Sequence, residues 1–210
     1  SWQYIPTEGL PALREAVADH MNDMGVSTSP HNVLITQGSQ QGLDLVAKLF
    51  INPSDAVLVE SPGYIGGLQA IEGYQGRLVP IKLEEHVLCI HELRSAPTAK
   101  LLYTVSIFQN PTGSCLSEAK RRAVLDLAIQ RGFIIVEDGA YQNLRFEGDP
   151  IAPIKQLDDD GHVIYLGSFS KTLVPGVRVG WVVAHESVID KMALMKQATD
   201  LASNTFGQCF

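Results

Sequence analysis

Apolar positions recur at helical spacing along Leu10 to Met24, Gln40 to Phe50, Ser117 to Gln130 and His185 to Leu201, and each stretch is predicted to form a helix. Between them lie short, nearly continuous apolar runs rich in β-branched residues: Asn32 to Thr36, Ala56 to Val59, Arg77 to Ile81, Lys100 to Val105, Phe133 to Val136, His162 to Leu166 and Val179 to Val183. Strands that are apolar on both faces suit a sheet buried on both sides. The alternation of such strands with helices predicts an α/β fold, three-layer α/β/α, with a mostly parallel central sheet.

Composition agrees with one well-filled domain, since 210 residues at 45% hydrophobic and 19% charged are enough to bury a core. The formal charge of −7, from 16 basic and 23 acidic residues, is spread along the chain and leaves no basic stripe for nucleic acid. No apolar run approaches the length of a membrane span, and no signal peptide opens the chain. Cys89, Cys115 and Cys209 form no C-x-x-C pair and, being odd in number, cannot all be bridged within one chain, which favours a reducing compartment. A soluble, cytoplasmic protein is expected. Both ends read as cut, because the chain starts without Met inside a turn and stops just as a helical pattern ends.

In a parallel sheet, ligands bind beyond the carboxyl ends of the strands, so chemistry is sought there. After Thr36, Gly38-Ser39-Gln40 forms a glycine turn running into a helix, whose N-terminus favours a phosphate; Ser39 as a plain N-cap is the alternative. After Val59, Tyr64 follows Pro62-Gly63 and could stack on a planar ring or simply pack its helix onto the sheet. After Val105 the turn Asn110-Pro111-Thr112-Gly113 leaves the Asn110 amide able to donate inward, or marks an ordinary Asn-Pro turn. Glu137 and Asp138 follow the apolar run to Val136, with Tyr141 three residues beyond Asp138. A carboxylate there needs a partner, for which a protonated pyridine nitrogen is apt, unless Asp138 only caps the next turn. The most specific segment is Ser168-Phe169-Ser170-Lys171, with Arg178 seven residues past the lysine across Pro175-Gly176. It combines an amine nucleophile with a bidentate phosphate clamp.

In order and spacing this set resembles the fold-type I pyridoxal-phosphate aminotransferases of class I/II. The likeness is greatest to the branch with 2-aminoadipate and kynurenine aminotransferases and the aminotransferase-like domains of MocR-type regulators. It runs from Tyr4 through Arg14 onward over essentially the whole chain. The resemblance implies pyridoxal 5'-phosphate as cofactor and a Lys171 Schiff base through which an amino group passes between an amino acid and a 2-oxo acid. It implies that Asp138 keeps the ring nitrogen protonated, that Asn110 and Tyr141 bond the ring hydroxyl oxygen, and that Tyr64 stacks on the ring. Gly38, Ser39, Gln40, Ser168 and Arg178, with Ser170 a lesser candidate, would bind the phosphate. Tyr4 matches a position that reaches the phosphate of a partner subunit, so a homodimer is implied.

The chain departs from that branch in places. Gly139 stands where a second acidic residue is usual, Ser106 where Pro is frequent, and the stretch from Ile81 to Lys100 is shorter than usual. Residues 1–210 are expected to be the cofactor-binding large domain, a fragment without the N-terminal arm and the C-terminal small domain, able to fold but poor at transamination alone. The same cofactor contacts would serve a sensor domain in a MocR-type regulator, which would carry a basic winged helix before Ser1, or a lyase catalysing elimination or decarboxylation. Other classes fit less well. A P-loop would need Gly at Ser170 and Tyr165, no G-x-S-x-G pentapeptide is present, and the His and Cys residues are scattered, with His86 and His91 in a polar segment.

Overall fold

A computed structural model describes residues 4–209. Six α-helices are present among them: α1 (Pro11–Asp23), α2 (Ser39–Phe50), α3 (Ile65–Gly73), α4 (Ile90–Ser95), α5 (Glu118–Arg131) and α6 (Glu186–Asp200). The strands are β1 (Val33–Thr36), β2 (Ala56–Ser61), β3 (Arg77–Glu84), β4 (Val87–Leu88), β5 (Leu101–Thr104), β6 (Ile134–Asp138), β7 (Val163–Ser168) and β8 (Gly180–Val183). They form one sheet in the order β1-β8-β7-β6-β5-β2-β3-β4. The β3–β2–β5–β6–β7 block is parallel, whereas β8 runs antiparallel to both β1 and β7.

Side-chain alternation along the strands sorts the core into two layers. Val57, Val59, Tyr103, Val136, Ile164 and Leu166 face α2, α3 and α6, packing on Leu43, Val46, Ile71, Ile189 and Met192. On the other face, Leu58, Leu102, Ile135 and Val163 meet Leu93, Val124 and Leu127 of α4 and α5. Further along that face, Ile35, Tyr165 and Trp181 meet Val17 and Met21 of α1. The expected α/β/α sandwich is thus present.

The periodic pattern missed α3 and α4. The first carries three glycines in nine residues, and the second is only six residues long, so neither repeats an apolar stripe far enough to read. The short stretch after Ile81 is a hairpin: Glu85 and His86 both have positive φ (51° and 69°) and turn β3 into β4. His86 and His91 are exposed, and no group of His, Cys, Asp and Glu among the described residues could hold a metal.

Candidate active site

Because β1, β2, β5, β6 and β7 point the same way, their carboxyl ends share one edge of the sheet. The reversed β8 begins at that edge, and Arg178 lies just before it. A cavity of about 180 Å³ opens there, lined by Ser39, Gln40, Tyr64, Val105, Asn110, Asp138, Ala140, Tyr141, Ser168, Ser170, Lys171 and Arg178. Ten of these twelve are residues singled out from the sequence; Val105 and Ala140 are the additions.

Lys171 lies in a tight turn after β7, closed by Thr172 and Leu173 N–H groups donating to the Phe169 carbonyl at 3.3 and 2.9 Å. Its Nζ stands 5.9 Å from the centre of the Tyr141 ring, within cation–π range. The Tyr141 hydroxyl accepts from Asn110 Nδ2 at 3.2 Å, so its own proton is free to point elsewhere. Ser168 is buried, and its Oγ accepts the Ser170 N–H at 3.1 Å. Arg178 donates from Nη1 to Ser170 Oγ at 3.3 Å and from Nη2 to the Gln37 carbonyl at 3.2 Å.

Gly38 does not line the cavity but closes under it. Its φ of 79° and ψ of 170° fall in a region nearly reserved for glycine, and a Cβ there would stand 2.5 Å from Arg178 Nη2. Tyr4 lies apart from the cavity, 87% exposed, beside the 200–205 turn.

The two adjacent acids at the end of β6 point to opposite faces. Glu137 turns away from the cavity, accepting the Ser106 hydroxyl and the N–H groups of Ile154 and Lys155 at 2.7 and 2.9 Å. Proline at position 106 could not supply that hydroxyl. Asp138 turns into the cavity wall, where Oδ2 accepts from Tyr103 Oη at 2.8 Å and Oδ1 from the Ala140 N–H at 3.1 Å. Burial raises the Asp138 pKa, and those two donors pull it partly back. Position 139 cannot take a second acid without rearrangement, since a Cβ on Gly139 would collide with the Tyr165 hydroxyl.

Three supporting residues went unread in the sequence: Tyr103, Glu60 and Gln109. Tyr103 pairs with Val136 across β5 and β6 and faces the same side, two residues short of Asp138, so strand alternation with the correct register would have found it. Glu60 accepts from Thr104 Oγ1 at 2.6 Å, from Gln109 Nε2 at 3.1 Å and from the Val105 N–H at 3.2 Å. Gln109 also donates to the Pro62 carbonyl at 3.0 Å, which ties the loop bearing Tyr64 to the loop bearing Asn110. Burial pushes the Glu60 carboxyl up to about 7 against the pull of these donors. No local sequence signal marks this pair, because it forms only when β2 and β5 lie side by side.

Comparison with known proteins accords with this geometry. The family described as aminotransferase class I and II matches residues 2–208. The chain belongs to that family. It is 42% identical over 98% of its length to the aromatic-amino-acid aminotransferase 1 of Thermococcus litoralis, covering 52% of that protein. It is 35% identical, again over 98% of its length, to the uncharacterized HTH-type transcriptional regulator YisV of Bacillus subtilis, covering 43% of it. The crystal structure of the α-aminoadipate aminotransferase LysN of Thermus thermophilus, complexed with N-(5'-phosphopyridoxyl)-L-leucine, superposes with a TM-score of 0.91 at 37% identity. That match covers 98% of this chain and 53% of LysN. This member of the family spans about half the length of the curated relatives it matches.

Proposed function

We propose that the protein carrying this chain is a pyridoxal-phosphate-dependent aminotransferase that moves an amino group between an amino acid and a 2-oxo acid. The observation that carries the reading is one cavity holding an amine, a buried carboxylate, a phenol with its amide partner, and a cation with hydroxyls at a helix start. The chemistry of this donor set fits the cofactor. Asp138 is buried and no cation bonds it among the described residues, so a protonated ring nitrogen is the partner its charge calls for. At the other end Arg178, Ser168, Ser170 and the first turn of α2 after Gly38 form an anion cradle suited to the phosphate.

When bound, the cofactor supplies an electron sink for the pair of electrons left when the substrate α-carbon loses its proton. The chain's own groups do the rest. Lys171 Nζ would hold the cofactor and, once free, is the amine placed to carry the proton from the substrate α-carbon. Asp138 would keep the ring nitrogen protonated, Tyr141 and Asn110 would bond the ring hydroxyl oxygen, and Tyr64 would cover the ring face. Residues 1–210 would act as the cofactor-binding domain.

A homodimer with shared sites is part of the proposal, supported by Tyr4 standing 87% exposed and away from its own cavity. A reducing cytoplasm suits three free cysteines, and no helix among the described residues is long and apolar enough to cross a membrane. A second reading, an effector domain that binds an amino acid as a signal, is favoured by the similarity to the regulator YisV.

The deciding experiment is an absorbance spectrum of the full-length protein with pyridoxal phosphate, before and after borohydride reduction, with Lys171→Ala alongside. A visible band that reduction locks onto Lys171, absent in the variant, is expected. No band in the full-length protein would overturn the assignment. Turnover of amino acid and 2-oxo acid then separates the enzyme from the sensor.

A further inference from the structure

Arg178 is gripped at both ends by one residue that does not line the cavity. Its Nη2 donates to the Gln37 carbonyl at 3.2 Å. With the Gln37 amide oriented to satisfy both neighbours, its nitrogen donates to the Arg178 carbonyl at 3.1 Å and its oxygen accepts the Asn204 N–H at 3.0 Å. This grip has a task, because Arg178 adopts a left-handed backbone (φ 53°, ψ 51°), which a non-glycine residue keeps only when its surroundings hold it there.

Gln37 is itself held from behind. Its backbone N–H donates to Gln41 Oε1 at 2.8 Å, and Gln41 Nε2 donates to Asp200 Oδ2 at 2.8 Å. Asp200 is anchored by Lys196, whose buried ammonium reaches both carboxylate oxygens at 2.6 and 2.8 Å. The chemistry gives the chain a fixed polarity. An ionised carboxylate only accepts, so Gln41 must turn its NH₂ toward Asp200, which leaves only its oxygen for the Gln37 N–H. A charge-assisted pair at one end thereby sets the orientation of a neutral amide at the other.

We propose that Gln37, Gln41, Asp200 and Lys196 are positioning residues that aim Arg178 at the cofactor phosphate, so that they govern affinity for the phosphate and not for the ring. The inference rests on the cavity being a pyridoxal-phosphate site. Gln37 lies just before α2 and Gln41 in its first turn, while Lys196 and Asp200 stand one turn apart at the end of α6, so two helix ends converge behind one cation.

The test compares two ligands on the full-length apoprotein by absorbance titration: pyridoxal phosphate and pyridoxal, which has the same ring and aldehyde without the phosphate. Gln37→Ala and Gln41→Ala are each expected to weaken pyridoxal phosphate about tenfold, or about 1.4 kcal/mol, and pyridoxal by less than about twofold. Two independent variants are used so that poor folding of one leaves the other to decide. Equal loss for both ligands, or no loss for pyridoxal phosphate, would overturn the inference while leaving the cofactor assignment intact. If the unaltered protein binds neither ligand, the cofactor reading itself fails and the inference goes with it.

Discussion

At the residue scale, the site depends on a few atoms that admit no substitute. Gly38 is one, since alanine there must adopt a nearly glycine-only backbone at a cost of about 1–3 kcal/mol and displace Arg178 as well. Gly38→Ala is therefore expected to lower pyridoxal-phosphate affinity by tenfold or more, measured by titration; unchanged affinity would show that the turn yields. Tyr103 is another. Tyr103→Phe takes the Oη donor from buried Asp138 and is expected to cost about 1–3 kcal/mol in denaturant unfolding of the apoprotein. A change within about 0.5 kcal/mol, the range of ordinary surface substitutions, would mean that Asp138 finds another donor. Asp138 was legible beforehand as a carboxylate ending an apolar strand, but Tyr103 was not. A phenol inside an apolar strand reads as core until the neighbouring strand's register puts an acid beside it.

At the element scale, the cavity exists because strand ends coincide. The loops after β2 and β5, which carry Tyr64 and Asn110, are joined through Glu60 and Gln109. Glu60 has a pKa raised from 4.5 to about 7 in the fold, chiefly by burial. A raised acid pKa means that the folded state binds the proton more tightly than the unfolded chain does. The contribution to stability is full below about pH 4.5 and is lost as pH rises through about 7, a swing on the order of 3 kcal/mol. Glu137 and Asp138, both raised by burial, act in the same direction. Apoprotein stability is thus expected to fall between about pH 4.5 and 7, and Glu60→Gln to flatten that slope. An unchanged slope in the variant would locate the proton elsewhere. Helices α1, α2, α5 and α6 and the seven main strands were visible as periodicity, within a few residues of their bounds. The β3–β4 hairpin turn and the glycine-rich α3 were not, because neither holds an apolar repeat long enough to show.

At the scale of the whole molecule, the exposed Tyr4 and the apolar Leu173 and Val174 beside Lys171, 57% and 49% exposed, bear on assembly. The full-length protein is expected to sediment as a dimer. Tyr4→Phe is expected to weaken pyridoxal phosphate by roughly tenfold through loss of one charge-assisted hydrogen bond of about 1.5 kcal/mol. A monomer with undiminished affinity in that variant would exclude a shared site. The sequence by itself determined the α/β alternation, the three-layer arrangement and ten of the twelve residues that line the cavity, most of which lie just past an apolar run where parallel strands end together. Tertiary structure alone decided that Glu137 turns away to Ser106 and the Ile154 and Lys155 N–H groups, that Gly139 has no room for a side chain beside Tyr165, and that Gln37, Gln41, Asp200 and Lys196 brace Arg178. Those facts depend on strand register and on contacts between residues up to 159 positions apart, which no local pattern encodes.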